Sequence, residues 1–275
     1  MTIKIGVRGH DMGKNTPEGL YNDLVSYGFD GIQLVLNKAL IDNPQLEENT
    51  LKKVAEGFKS DKKIMLLGSY FNPIHSDKQK VAEGLERFST QLKYAHLFDC
   101  EFVASETGSF NDDQWTYHPN NHKKETIDYV TSVFKSLVTI AEQYNKTVLI
   151  EAAYGHVAYS PSVLNDMIRT INSSNVGAII DVYNLLNISN YHQHVDLLKE
   201  ALLLMKDKIK VFHLKDFIVE NDKLVQVGLG KGLMKYHEIL PLMVKSNPDA
   251  YYVFEGVKKE DLQSSLAFIR SILKN

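Results

Sequence analysis

Cysteine is almost missing from this chain. The single Cys100 excludes an intramolecular disulfide and fits a reducing compartment. It stands at the start of a strand-like run, where a buried structural thiol is expected rather than a nucleophile. An excess of either charge is also lacking: 31 basic against 34 acidic side chains give a net charge of -3. That balance argues against a broad nucleic-acid-binding surface. No apolar stretch reaches membrane-spanning length, and Met1–Gly6 runs straight into a strand pattern without a signal-peptide core. The expectations are a cytoplasmic setting, no membrane and no nucleic-acid partner, with room left for a homo-oligomer. Low-complexity tracts and linkers are absent too, and Gly6–Gly9 does not supply the glycine-rich turn that a dinucleotide-binding first strand requires.

What the chain does have is alternation. Short β-branched or aromatic runs fall at Ile3–Arg8, Gly31–Leu36, Lys63–Ser69, Phe102–Glu106, Thr147–Ala152, Gly177–Val182, Lys210–Leu214 and Tyr251–Glu255. Helix-period segments lie between them, near 16–28, 49–62, 78–99, 122–145, 160–173, 191–208, 235–247 and 259–274. In the fourth, Ile127, Val130, Phe134, Leu137 and Ile140 recur at the spacing of one buried face; Leu262, Leu266, Ile269 and Leu273 do so in the last. Thr16-Pro17 and Ser160-Pro161 are helix-start signals, a capping hydroxyl before a proline suited to the first turn. Eight strand–helix units in strict alternation predict an α/β fold, a single (β/α)8 TIM barrel over residues 1–275.

Barrel enzymes carry their chemistry at the C-terminal ends of the strands. Four successive runs end there in a candidate metal ligand: Glu151, Asp181, His213 and Glu255. Desolvated carboxylates and an imidazole are poor endings for apolar runs, and their convergence would be repulsive unless a cation held them. The alternative is four unrelated residues paired with Lys or Arg. Three oxygen donors and one imidazole suit one divalent ion, Mn²⁺, Mg²⁺, Co²⁺ or Zn²⁺. Four protein ligands exceed the usual catalytic zinc count, which leans towards Mn²⁺.

The same rim carries candidate substrate-binding residues: His10, Asn72, His75, Glu106, His156, Asn184 and Lys215, with Gln33 on the second strand. Each histidine has an alternative reading as an ordinary loop residue, and Lys215-Asp216 as a surface or supporting pair. The long segment 107–122 holds Trp115, Tyr117 and His118, and reads as a lid or a sugar-stacking platform; Trp115 could equally pin the loop. Gly228–Gly232 could cradle a phosphate, although a plain glycine-rich turn is the simpler reading. His192, His194 and His237 fall on helices and should face solvent.

In the segments Val148–Glu151, Asn175–Asp181, Phe212–Asp216, Gly228–Gly232 and Phe254-Glu255 the chain resembles the xylose-isomerase-like barrel superfamily, in particular its sugar phosphate isomerase/epimerase group. The resemblance spans the whole chain. It implies that Glu151, Asp181, His213 and Glu255 bind one divalent metal, and that Glu151 and Glu255 double as the acid/base pair. Two departures stand out: Asn184 where many members have histidine, and no second acidic residue in Ala152–Tyr159. The implied activity is isomerisation or epimerisation of a small ketose, sugar phosphate or keto-polyol, by proton transfer α to a metal-chelated carbonyl through an enediolate. Loss of a β-hydroxyl from that enediolate would instead make a dehydratase of a keto-inositol or similar substrate. An endonuclease-IV-like phosphodiester hydrolase is disfavoured by Asn184, by the lack of an Asp-x-His pair in Asn221–Gly228 and by the acidic net charge. A non-catalytic sugar-binding protein would not need both glutamates.

Overall fold

The computed structural model describes residues 3–274; Met1, Thr2 and Asn275, the ends of the expected domain, lie outside the described residues. Its strands are β1 (Lys4–Arg8), β2 (Gly31–Leu34), β3 (Lys63–Gly68), β4 (Phe102–Glu106), β5 (Thr147–Glu151), β6 (Val176–Asp181), β7 (Ile209–Leu214), β8 (Asp216–Glu220), β9 (Lys223–Val227) and β10 (Tyr251–Phe254). All except β8 and β9 pair in parallel and close into a barrel in the order β1-β2-β3-β4-β5-β6-β7-β10, with β10 returning to β1. The helices are α1 (Pro17–Tyr27), α2 (Leu36–Ala39), α3 (Glu48–Glu56), α4 (Lys78–Tyr94), α5 (Lys124–Gln143), α6 (Pro161–Ile171), α7 (His194–Met205), α8 (Tyr236–Ser246) and α9 (Leu262–Leu273). This is the expected (β/α)8 barrel.

Local signals explain where the helices start. Thr16 Oγ1 accepts from the Gly19 amide and Ser160 Oγ from the Val163 amide, each with proline at the first helical position. α5 buries Val130, Phe134, Leu137 and Ala141 against the barrel. In α9 the buried stripe is Leu262, Leu266, Ile269 and Ile272, so Leu273 turns outward, contrary to the sequence reading of the last turn. α3 ends at Glu56 rather than at 62, where Gly57 caps it.

β8 and β9 were not anticipated. They form an antiparallel hairpin between β7 and α8, closed by Asn221 and Asp222 at φ of 50° and 57°. Two consecutive left-handed residues match the twist of a tight hairpin, and Asn and Asp tolerate that conformation. The glycine-rich turn that follows is not a phosphate cradle. Its Gly230, Gly232 and Met234 amides donate to the buried Asp216 carboxylate, as does the Phe217 amide.

Strand periodicity places the site. Leu149, Ile179, Val211 and Val253 belong to an interior apolar cluster with Met65, Phe102 and Ala104. Two residues on, and so on the same face of each strand, come Glu151, Asp181, His213 and Glu255. The quartet therefore stands directly above an apolar floor. On β1 and β2 the interior positions are Gly6 and Gly31, and Met65 fills the space: a Cβ on Gly6 would lie 2.5 Å from its Sδ.

Gly31 is tighter still, since an added Cβ would sit 2.2 Å from the Lys63 carbonyl oxygen and 2.9 Å from Met65 Cε. Backbone cannot yield as a side-chain tip can. Gly31→Ala is expected to cost about 1–3 kcal/mol, the usual range for overpacking, read as a lower urea midpoint at constant slope. An unchanged midpoint would contradict this packing.

Candidate metal centre

Glu151 and Asp181 end β5 and β6, His213 is the penultimate residue of β7, and Glu255 follows β10. All four are buried, and each offers one ligand atom within 4.8 Å of the others. His213 Nδ1 is the centre of the group, at 3.1 Å from Glu151 Oε1, 2.8 Å from Glu255 Oε2 and 3.8 Å from Asp181 Oδ2. Bonds of about 2.0–2.2 Å to one ion place donor atoms roughly 3–4.4 Å apart, close to this spread. Among the described residues, no other group of His, Cys, Asp and Glu is drawn together in this way.

Two observations favour a cation here. Asp181 Oδ2 and Glu255 Oε2 are buried with no hydrogen-bond partner; Lys215 Nζ at 2.9 Å and His213 Nδ1 at 2.8 Å are near them but lack the geometry. The imidazole is also oriented for ligation. Its Nε2 faces Gln33 Oε1 at 2.7 Å, and Gln33 directs its amide nitrogen to Tyr70 Oη at 2.8 Å. The glutamine must then accept from Nε2–H, which leaves Nδ1, facing the carboxylates, as the nitrogen available to a metal.

Positive side chains offset the remaining charge. Lys215 Nζ donates to Asn184 Oδ1 at 2.9 Å and lies 3.0 Å from Glu255 Oε1. Arg8 Nη1 donates to Glu255 Oε1 at 2.7 Å, while its Nε and Nη2 grip Asp11. Asp11 in turn accepts from the Gly256 amide, tying the Glu255 loop to the end of β1. Asn184 Nδ2 donates to Glu151 Oε1 at 2.8 Å, so Asn184 bridges a glutamate to Lys215. Burial would raise the Glu255 carboxyl, but Lys215, His213 and Arg8 outweigh it and hold the group well below the usual carboxylate range. Burial likewise opposes charge on His213, yet Glu151 and Glu255 raise it to about 10.

The other sequence candidates divide into two groups. Glu106, at the end of β4 abreast of Glu151, is pushed up to about 8 by burial and then by Glu151 and Glu255. His156 is buried beside it, and Trp115 meets the imidazole edge-on with ring centres 5.3 Å apart. His10 is drawn down to about 4 by burial, then Arg8 and Lys38, and its buried Nδ1 has no partner. Asn72 and His75, by contrast, brace loops. Asn72 bonds the Ser109 and Asp112 carbonyls and the Ile74 and Ser109 amides; His75 bonds the Asp77 amide and Asp113. With Asn121 tied to Ser109 and to the Gly155 carbonyl, these contacts fix 107–122 as a wall of the pocket.

His192 and His237 are exposed as expected, but His194 is not. It is 3% exposed, with Nδ1 on the Tyr191 carbonyl and Nε2 accepting from the Lys235 amide; an amphipathic pattern alone hid its capping role. Arg8 ends β1 among glycines, and only its partners Asp11 and Glu255 distinguish it from an ordinary strand-end charge. The rule that strand ends carry function applies to it equally.

The family described as xylose isomerase-like TIM barrel matches residues 22–272. No curated protein matches significantly. Among solved structures, a D-psicose 3-epimerase in the presence of D-fructose is 16% identical with a TM-score of 0.74, covering 99% of this chain and 100% of that one. A 3-keto-D-glucoside 4-epimerase from E. coli is 17% identical at a TM-score of 0.73, covering 98% and 100%. A xylose isomerase-like TIM barrel protein from Mycobacterium smegmatis in complex with magnesium is 14% identical at 0.75, covering 99% and 95%. Among the described residues, no helix is long and apolar enough to cross a membrane.

At neutral pH the metal-free His213, raised to about 10, carries a proton on the nitrogen that would bind metal. Ligation must displace it, so affinity should fall as pH falls. Calorimetric titration with Mn²⁺ in two buffers of different ionisation enthalpy is expected to report about one proton released per ion bound at pH 7. Binding without proton release would contradict a protonated Nδ1 in the metal-free protein.

Proposed function

The chain belongs to the xylose isomerase-like TIM barrel family, and from that premise we propose that it is a metal-dependent isomerase or epimerase of a small ketose or keto-polyol, free or phosphorylated. The observation that carries this reading is the placement of two glutamates on either side of the cluster. Glu151 comes from β5 and Glu255 from β10, with Asp181 and His213 on the two strands between them. Simple metal storage or sugar binding needs no such flanking pair. Support also comes from the epimerases among the similar structures and from the magnesium bound in one of them.

A divalent ion held by the quartet supplies Lewis-acid polarisation of a ketone and its neighbouring hydroxyl. The rest belongs to the side chains. A hydrogen on the carbon α to the carbonyl is abstracted by the glutamate on its own face, and the opposite glutamate returns a proton to the other face. Return from the same face gives exchange without inversion. Arg8 with Lys215 at Glu255 Oε1 orients Oε2 towards the cluster, while Asn184 fixes Glu151 Oε1, which faces His213 Nδ1, and leaves Oε2 for proton transfer. Lys215 Nζ, over the Tyr183 ring at 5.7 Å, adds a fixed positive charge near the oxygen that becomes anionic. Asp181 and His213 serve as ligands only.

Glu151→Gln and Glu255→Gln retain size and an oxygen donor. With metal loaded, each is expected to lose about 10²–10⁴ in rate, as removal of a general acid or base usually costs. Deuterium exchange at the carbon α to the carbonyl distinguishes the faces: one variant should keep exchange from one epimer, the other from the opposite epimer. Full exchange from both epimers in both variants would move the base elsewhere in the pocket.

A further inference from the structure

Beyond the metal ligands, the mouth of the barrel holds a pair of polar groups that no part of the proton transfer uses. Glu106 Oε1 and His156 Nδ1 stand 3.7 Å apart, too far to satisfy each other. His156 is only 5% exposed, and its Nδ1 has no hydrogen-bond partner. Its Nε2 lies 3.0 Å from the Trp115 carbonyl, a group that can only accept, so Nε2 carries the hydrogen and Nδ1 is left as a bare acceptor. An unpaired polar atom at that depth is costly, and this one is held in place: Trp115 packs its indole against the imidazole and keeps a left-handed φ of 52°, a strained conformation for an aromatic residue.

Resting on the isomerase or epimerase reading, we propose that Glu106, His156 and Trp115 form a subsite for free hydroxyls on the part of the substrate remote from the reacting carbonyl, and that the substrate is therefore an uncharged polyol ketone rather than a phosphate ester. The bare His156 Nδ1 calls for a donor, and the Glu106 carboxyl beside it can give or take a hydrogen bond, so adjacent hydroxyls of a polyol can serve both groups at this spacing. The indole supplies an apolar wall for the carbon chain. A phosphate brings only acceptors to the bare His156 Nδ1, and its charge would lie beside the carboxylates of the cluster, since Glu106 stands abreast of Glu151. The cations of the cluster are committed elsewhere, Arg8 to Asp11 and Glu255, Lys215 to Asp181, Glu255 and Asn184.

Trp115 is the chain's one tryptophan, so its emission reports on this subsite directly. The Mg²⁺-loaded full chain is titrated with D-fructose and with D-fructose 6-phosphate, in the wild type and in the separate variants Glu106→Gln and His156→Asn. Saturable change with D-fructose, binding of the phosphate at least tenfold weaker, and roughly tenfold or greater loss of D-fructose affinity in each variant are expected. Equal or tighter binding of the phosphate, variants that bind D-fructose like the wild type, or no response to D-fructose at all would overturn the proposal. Parallel deuterium exchange separates the two ideas. Exchange that is indifferent to the phosphate and to both substitutions leaves the isomerase reading standing without this subsite; the expected binding pattern without exchange leaves the subsite without that reaction.

Discussion

Three carboxylates buried around one imidazole repel one another, and the barrel places them together all the same. Like charges about 4 Å apart cost about 4 kcal/mol per pair even at an effective dielectric near 20. Glu151, Asp181 and Glu255 are each drawn within reach of His213 Nδ1, so the arrangement persists only if positive charge is held among them. Arg8 and Lys215 supply part of it. The proton on His213 supplies more, at the nitrogen a metal would take. Much of the mouth of the barrel is organised around this balance: Gln33 sets the imidazole, Asn184 links Glu151 to Lys215, and Asp11 locks both Arg8 and the Gly256 turn.

The balance is possible because the strands alternate. One pleat below the quartet lie Leu149, Ile179, Val211 and Val253, which give the charged layer a dry floor and restrict how far its side chains can retreat from one another. Glycines at the matching places on β1 and β2 let Met65 cross the interior. The outer wall is equally committed, since loop 107–122 spends its backbone groups on Asn72, Asn121 and His156. A rigid floor and a tied wall are the conditions under which small differences in substrate hydroxyl placement become differences in affinity.

Much of this was legible in the chain. Strand and helix periods point to the barrel, and the strand-end rule picks out Glu151, Asp181, His213 and Glu255, the four side chains that the structure draws together. Three kinds of feature were not legible. The β8–β9 hairpin breaks the strand–helix alternation, although Asn221-Asp222 is a turn signal. Arg8 contacts a residue 247 positions away, and no local pattern encodes such a partner. The tasks of Asn72, His75 and His194 depend on which loop carbonyls and amides face them in three dimensions, so rim or helix position alone put His194 on the wrong side of the surface and left the bracing by the other two unseen.

The claim on which the rest depends is that one divalent cation sits among these four side chains with the His213 nitrogen bound to it. Pulsed electron paramagnetic resonance of the chain loaded with Mn²⁺ tests this most directly. The account predicts one tightly bound Mn²⁺ per chain whose echo is modulated by a single directly coordinated imidazole nitrogen, with that modulation lost in His213→Gln. Sub-stoichiometric Mn²⁺, or a bound ion with the same nitrogen signal in His213→Gln, would contradict it.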